Sequence, residues 1–444
     1  MLFGTDGIRG LANIELTPEL AFRLGRTSGW VLSPQKVLIG KDTRLSGDML
    51  EAALMAGFMS VGANVYLAGV IPTPAVAFLV KQGGFDIGVM ISASHNPMAD
   101  NGIKFFNSDG YKLPDEQETT IEDIIANFEN RKLPSPIGRN IGTVKKLESA
   151  ASDYIAFLKT AVNETNLNNI KIAIDCANGA ASFIAHDIFN QFGAEVTTIY
   201  NNPNGCNINE DCGSTHMDNL CKFVVNNKMD AGLAFDGDCD RMLAVDHMGN
   251  IIDGDVILAI LGQELADKGK LAKNTIVATN LSNKGLEVFC KKHGLNLVRT
   301  DVGDKYVLEE IIKNNYSLGG EQSGHIIAKE FGTTVDGLLS GLLLLCSAAK
   351  QHKSLHELSK IIELFPQIMV NVKVANNRKA ELDTNDIIQD KLNKIINILA
   401  DNGRVLLRPS GTEPLVRVMI EGRDEVQIKT LANELADVIK NILG

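Results

Sequence analysis

The sequence is poor in three features that would each have set its class. It has only seven cysteines in 444 residues, with no C-x-x-C pair among Cys176, Cys206, Cys212, Cys221, Cys239, Cys290 and Cys346. An odd count at loose spacing fits a reducing cytoplasm better than a disulfide framework. Cys206, Cys212, His216 and Cys221 match no zinc-ligand spacing and read as small residues of a folded loop. Positive charge is also scarce. Lys and Arg total 43 against 54 Asp and Glu, a formal net charge of −11, which argues against general nucleic-acid affinity. A phosphate ligand stays open, because a local basic cluster can outweigh a negative whole. Finally, there is no long apolar run. Leu338 to Ala349 is the most apolar stretch, far short of the ~20 residues of a membrane span, and it reads as a buried helix. The opening Met-Leu-Phe-Gly-Thr-Asp has neither a basic start nor an apolar core, so no secretory leader is expected and the cytoplasm is the expected location.

What is present is an ordinary globular composition, 45% hydrophobic and 22% charged, with a unit that recurs three times. Val37-Leu-Ile-Gly-Lys-Asp-Thr-Arg44 reads as a buried strand running into a polar loop. A helix then runs from about Asp48 to Val61, and Gly62-Ala-Asn-Val-Tyr-Leu67 supplies a second strand. The order returns at Lys171 to Asn178, a helix to Phe192 and Gly193 to Ile199. It returns again at Thr275 to Asn280, a helix to His293 and Gly294 to Arg299. Each is a βαβ unit and predicts a mainly parallel sheet with helices on its faces. Each is followed by a further apolar strand with a polar loop at its end: Gly88 to Pro97, Ala231 to Arg241 and Leu318 to His325. Ligands in α/β sheets bind beyond the carboxyl ends of strands, so three matching loops can face one cleft.

From about Leu364 the pattern changes. Short strands at Ile368 to Val374, Gly403 to Arg408 and Leu415 to Glu421 alternate with helices at Ile387 to Leu399 and Glu425 to Leu443. The expected architecture is three similar mixed-sheet α/β domains plus a smaller C-terminal α+β domain around a central cleft. The expected bounds are 1–150, 151–250, 251–364 and 365–444, with a polar, proline-containing linker at Asn130 to Lys146.

The loops carry the chemistry. Asp236-Gly-Asp-Cys-Asp-Arg241 offers three carboxylates at alternating positions after an apolar strand. Hard oxygen ligands so spaced can close on one divalent cation, Mg²⁺ above all where a phosphate adds an oxygen. Without a cation the three carboxylates would repel one another. Ser92-Ala-Ser-His-Asn-Pro97 sets a hydroxyl beside His95, either a nucleophile with its base or a serine-rich turn. Lys104 nearby can neutralise a phosphate or move a proton. Arg408-Pro-Ser-Gly-Thr-Glu-Pro-Leu-Val-Arg417 combines guanidinium, hydroxyl and backbone N–H donors, as a phosphate dianion requires. Gly319-Gly-Glu-Gln-Ser-Gly-His325 brackets a carboxylate and a hydroxyl with glycines, suited to a polyhydroxylated ring or to a plain turn. In Phe3-Gly-Thr-Asp-Gly-Ile-Arg-Gly10, Arg9 can brace a phosphate or form a salt bridge.

Taken together and in this order, the five strings resemble the α-D-phosphohexomutase superfamily, along essentially the whole chain. Asn207-Ile-Asn209, Cys212-Gly-Ser-Thr-His216 and Gln322 resemble its phosphoglucosamine mutase branch. The resemblance implies interconversion of glucosamine 6-phosphate and glucosamine 1-phosphate, on the route to UDP-N-acetylglucosamine and cell-wall precursors. The same chemistry on glucose or mannose phosphates is the alternative. It implies phosphorylation at Ser94, one Mg²⁺ held by Asp236, Asp238, Asp240 and the phosphoserine, and glucosamine 1,6-bisphosphate as intermediate and activator. Arg241 and Lys305 are implied near the reacting phosphate, and Glu321 and Ser323 on sugar hydroxyls. Arg408, Ser410, Gly411, Thr412 and Arg417 are implied on the non-reacting phosphate, with Lys104 and His325 as candidate proton-transfer groups. Lys305 stands where this branch often carries Arg. A monomer or homodimer, with a kinase as a conceivable first activator, completes the expectation.

Overall fold

A computed structural model describes residues 2–162, 166–410 and 414–444. It divides into two compact units, Met1–Leu281 with Leu295–Ile361, and Ser282–Gly294 with Ile362–Gly444.

The first unit holds three sheets built to one plan. The first contains β1 (Ile8–Leu11), β2 (Lys36–Lys41), β3 (Asn64–Val70), β4 (Ile87–Ile91), β5 (Asp100–Asn107) and β6 (Val144–Lys146), in the order β1-β5-β4-β2-β3-β6. The second contains β7 (Lys171–Asp175), β8 (Glu195–Ile199), β9 (Ala231–Phe235), β10 (Met242–Asp246) and β11 (Ile251–Ile252), ordered β11-β10-β9-β7-β8. The third contains β12 (Thr275–Thr279), β13 (Asn296–Thr300), β14 (Leu318–Gly320) and β15 (Ile326–Ala328), ordered β13-β12-β14-β15. In each, the first strand of the repeat is flanked by two parallel partners, and a fourth strand returns antiparallel. Strands β4, β9 and β12 are buried at every residue, as continuous apolar runs covered on both faces should be.

Helices Pro18–Val31 and Ser46–Met59 meet closely because glycines face each other there. A Cβ at Gly25 would stand 2.3 Å from the Leu54 carbonyl oxygen, and one at Gly57 2.3 Å from that of Phe22. Two local expectations change. The helix after β7 is broken into a 3-10 turn, Ala180–Phe183, and the helix Ala185–Gln191, because Ala180 N–H is drawn to the Gly237 carbonyl at 2.8 Å. The polar stretch ending at Lys146 is not all linker: its last three residues pair in parallel with β3 as β6. The apolar run expected as a buried helix is one, Gly337–Gln351.

The second unit is a three-stranded antiparallel sheet of β16 (Gln367–Lys373), β17 (Gly403–Pro409) and β18 (Leu415–Gly422), ordered β16-β18-β17. Val416, Val418 and Ile420 of β18 form its core with Ile428, Leu435 and Ile439 of the helix Glu425–Leu443. The helix Lys284–Lys292, which joins β12 to β13 in sequence, belongs to this unit.

Candidate active site

The polar loops after β4, β9 and β14 all leave the carboxyl end of the same strand of the repeat. In the first loop Ser94 is fully buried and its Oγ donates to Asp236 Oδ2 at 2.5 Å, with Asp240 Oδ1 at 3.4 Å. This approach needs a bare backbone opposite. A Cβ at Gly237 would lie 2.7 Å from the Ser94 carbonyl oxygen. His95 does not hold the hydroxyl. It is half-buried, its Nδ1 has no partner among the described residues, and burial with the nearby Arg241 and Arg9 pushes the ring down to about 4, so it is neutral.

In the second loop Asp236, Asp238 and Asp240 are buried, and each offers an oxygen within 4.8 Å of the others. Their remaining atoms are tied from several segments. Asp238 Oδ2 accepts from Thr73 Oγ1 at 2.6 Å and Lys104 Nζ at 2.9 Å, while its Oδ1 has no partner among the described residues. Asp240 Oδ2 accepts from Lys104 at 2.9 Å, and its Oδ1 lies 3.1 Å from His325 Nε2. Asp236 Oδ1 accepts from the Arg241 backbone N–H at 3.1 Å. Burial and the two neighbouring aspartates push Asp236 well up. Burial acts the same way on Asp240, but Lys104, His325 and Arg241 outweigh it and hold that group well down. A buried oxygen without a donor and a carboxylate destabilised by its neighbours both fit a hard divalent cation at this triad.

Lys104 is the hub. Its ammonium reaches Asp238, Asp240 and Asp6 (3.0 Å), and these anions outweigh burial and raise it well above the ordinary lysine range. Asp6 in turn binds Arg9 and Lys112 (2.9 Å), and Lys112 reaches Asp304 at 2.8 Å. Asp6, Thr73, Lys112 and Asp304 were missed in the sequence. The only available sign was Asp6 standing within the first glycine-spaced string.

In the third loop Glu321 accepts from Gly303 N–H at 3.0 Å and faces His325 Nδ1 at 2.7 Å. Burial and Arg241 oppose charge on His325, yet Asp240 and Glu321 raise it to about 10. The imidazolium then donates to both carboxylates. The 3.0 Å approach of Arg241 Nε to His325 Nε2 is therefore a contact between two cations. Ser323 is half-buried in the same loop. Gln322 is engaged elsewhere, donating to Asp253, the N-cap of the helix Gly254–Asp267. Lys305 pairs with Asp115 rather than with the triad. Among the described residues no other group of His, Cys, Asp and Glu could hold a metal ion, and Cys206, Cys212, His216 and Cys221 do not form one.

Known proteins share this arrangement. The family models for phosphoglucomutase/phosphomannomutase alpha/beta/alpha domains I, II and III match residues 1–132, 152–249 and 253–365, and the C-terminal domain model matches 369–438. The phosphoglucosamine mutase of Acetivibrio thermocellus is 52% identical, over all of this chain and 99% of its own. That of Clostridium novyi is 51% identical over 99% and 98%. The chain belongs to the phosphoglucosamine mutase family. Solved structures agree on the phosphohexomutase fold. A phosphoglucomutase/phosphomannomutase family protein of Burkholderia thailandensis superposes with a TM-score of 0.82 at 23% identity, covering 99% of this chain and 97% of its own. An Aspergillus fumigatus N-acetylphosphoglucosamine mutase, solved with GlcNAc-6P and magnesium, gives 0.70 at 18%, covering 99% and 96%.

The remaining residues implied by the family resemblance belong to the second unit. Arg408 on β17 is exposed and lies directly opposite Arg417 on β18. Ser410 is buried, its N–H bonds the Leu415 carbonyl at 2.9 Å, and its own carbonyl accepts from Lys379 at 2.5 Å. Gly411 and Thr412 lie outside the described residues. Two guanidiniums at one cross-strand position cost stability unless an anion lies between them.

Proposed function

We propose that the chain interconverts glucosamine 6-phosphate and glucosamine 1-phosphate through a phosphorylated Ser94. The observation that carries this reading is the Ser94 hydroxyl at 2.5 Å from Asp236 inside the triad. A hydroxyl so placed has little use as a surface turn residue. The family, whose relatives are phosphoglucosamine mutases, supplies the substrate.

In this reading the phosphoryl group on Ser94 Oγ passes to the free sugar hydroxyl. A P–O bond forms to the sugar oxygen as the P–Oγ bond breaks, and the proton lost by the sugar hydroxyl is balanced by one gained at Ser94 Oγ, giving glucosamine 1,6-bisphosphate. After the intermediate turns round, its other phosphoryl group returns to Ser94. Asp236, Asp238 and Asp240, with a phosphoserine oxygen, would hold Mg²⁺, which neutralises charge on the transferring group. Lys104, Arg241 and Arg9 set fixed positive charge around the same point. Lys104 and His325 remain the candidate proton-transfer groups, and Glu321 and Ser323 would take sugar hydroxyls. Arg408, Ser410, Gly411, Thr412 and Arg417 would hold the non-reacting phosphate, which the facing guanidiniums favour.

The test is Ser94→Ala. It should fold as the parent does, lose turnover and lose the phosphoryl group seen by intact mass. Retained turnover would remove Ser94 from the mechanism. Turnover of glucosamine 6-phosphate compared with glucose and mannose phosphates tests the substrate.

A further inference from the structure

The polar loop after β2, Lys41-Asp-Thr-Arg44, has no part in the chemistry above, yet Arg44 is almost fully buried at 3% exposure. Its five N–H donors are all used, four of them on one neighbouring loop. Nε donates to Asp42 Oδ2 at 2.9 Å. One terminal nitrogen donates to the Pro97 carbonyl and to that of Asp100 at 3.1 Å. The other donates to the carbonyls of Ser94 at 3.0 Å and Asn96 at 2.8 Å. Every carbonyl in that set belongs to the serine loop or its exit.

A second donor reaches the same two oxygens from a different segment of the chain. Asn209 Nδ2 lies 2.8 Å from the Ser94 carbonyl and 3.0 Å from that of Asn96. The amide side of Ser94 is fixed as well. Its N–H donates to Ser92 Oγ at 2.9 Å, and Ser92 Oγ donates to the same Asp42 oxygen, at 2.6 Å, that takes Arg44 Nε. Ser94 thus has both its backbone groups held, its carbonyl by Arg44 and Asn209 and its N–H by Ser92, which Asp42 fixes.

The reason for so many bonds lies in the backbone. Ser94 has φ +52°, the left-handed region that residues with a Cβ avoid. Released, the loop would relax toward negative φ, and that rotation would carry Oγ away from Asp236. Glycine, the usual residue for such a turn, has no hydroxyl to offer. We propose that Arg44 and Asn209 are positioning residues for phosphoryl transfer: they lock the main chain of Ser94 in its left-handed conformation and so aim its Oγ into the aspartate triad. Neither touches the reacting atoms. The inference rests on Ser94 as the carrier of the phosphoryl group.

Arg44→Lys keeps the charge but cannot span four carbonyls. Asn209→Ala removes the second donor and leaves the buried cation in place. On the full-length protein with glucosamine 6-phosphate, each should lower kcat by ~100-fold while KM stays within about threefold, as expected for a misaimed nucleophile. Because both side chains bond the same two carbonyls, the double variant should lose less than the product of the single losses. A kcat within threefold of the parent in both single variants would overturn the clamp, and so would strictly multiplicative losses. Should Arg44→Lys fail to fold, Asn209→Ala decides alone by its kcat and KM. Peptide mapping of the phosphoryl group separates this failure from the other. A phosphoryl group away from Ser94 overturns the mechanism and the clamp together, whereas one on Ser94 with kcat retained overturns the clamp alone.

Discussion

The serine–aspartate centre of the first unit and the β17–β18 hairpin of the second handle charge in opposite ways. In the centre, anions and cations alternate in space. Lys104 lies among Asp6, Asp238 and Asp240, and His325 lies between Asp240 and Glu321. In the hairpin, Arg408 on the edge strand β17 directly faces another arginine, Arg417, on the central strand β18. One region arrives with most of its charges paired, the exceptions being the Arg241–His325 contact, Asp236 beside its two fellow aspartates, and Asp238 Oδ1. The other sets two guanidiniums at one cross-strand position, an arrangement suited to an anionic ligand. A phosphotransferase needs both: a centre that does not reorganise during transfer, and a clamp that gains stability only with its ligand.

Breaking the pairing in the centre should have the largest effect. Lys104→Met leaves buried carboxylates without their shared cation. It should cost about 3–5 kcal/mol and lower turnover at least ~1,000-fold, read from thermal melts and steady-state rates. A melt unchanged from the parent would mean the centre is no more self-compensated than the hairpin. Chelation comes next. Stripping divalent cations should lower the melting temperature, and restoring Mg²⁺ to about a hundred times its dissociation constant should return about 2.7 kcal/mol. A melt indifferent to both would deny the triad a cation.

A further test inside the first unit is Asp336, which is shifted by burial rather than by an ion pair. It caps the helix Gly337–Gln351, accepts from Tyr154 at 2.7 Å, and burial pushes it up to about 6. A carboxylic acid raised in the folded state contributes most at low pH and loses that contribution as pH climbs from about 4 through about 6. Against Asp336→Asn, the parent should therefore lose ~2 kcal/mol between pH 4 and pH 7, seen as converging or crossing melting curves. A constant gap would deny the shift. The smallest stability effect belongs to the hairpin. Arg408→Met should leave the ligand-free protein unchanged or up to ~1 kcal/mol more stable while raising KM for sugar phosphates roughly 10–100-fold. Clear destabilisation without ligand would show that the facing arginines are structural, and the contrast with the centre would fail.

Much of the site was legible because its residues cluster in short strings at strand ends. Asp236 to Arg241 reads as a cation loop from three alternating carboxylates alone. The role of Asp6 was not legible, since nothing in Phe3 to Gly10 announces that its carboxylate takes Lys104, Lys112 and Arg9 at once. Nor did the pairing of Ser94 with His95, adjacent in sequence, survive in space. Adjacent side chains diverge along a backbone, and the hydroxyl faces an aspartate 142 positions later instead. Ser92, readable only as a turn residue, links Asp42 to the Ser94 amide.

By itself the sequence determined the repeated βαβ plan, the apolar strands and the chemistry each loop carries, because periodicity and side-chain type are local properties of a chain. Only the tertiary structure decided which oxygen of Asp238 stays bare, which cation serves three carboxylates, and why a serine can hold a conformation suited to glycine. Those outcomes depend on donors and acceptors from distant segments meeting within about 3 Å, and hydrogen bonding is too short-ranged to be read from order along the chain.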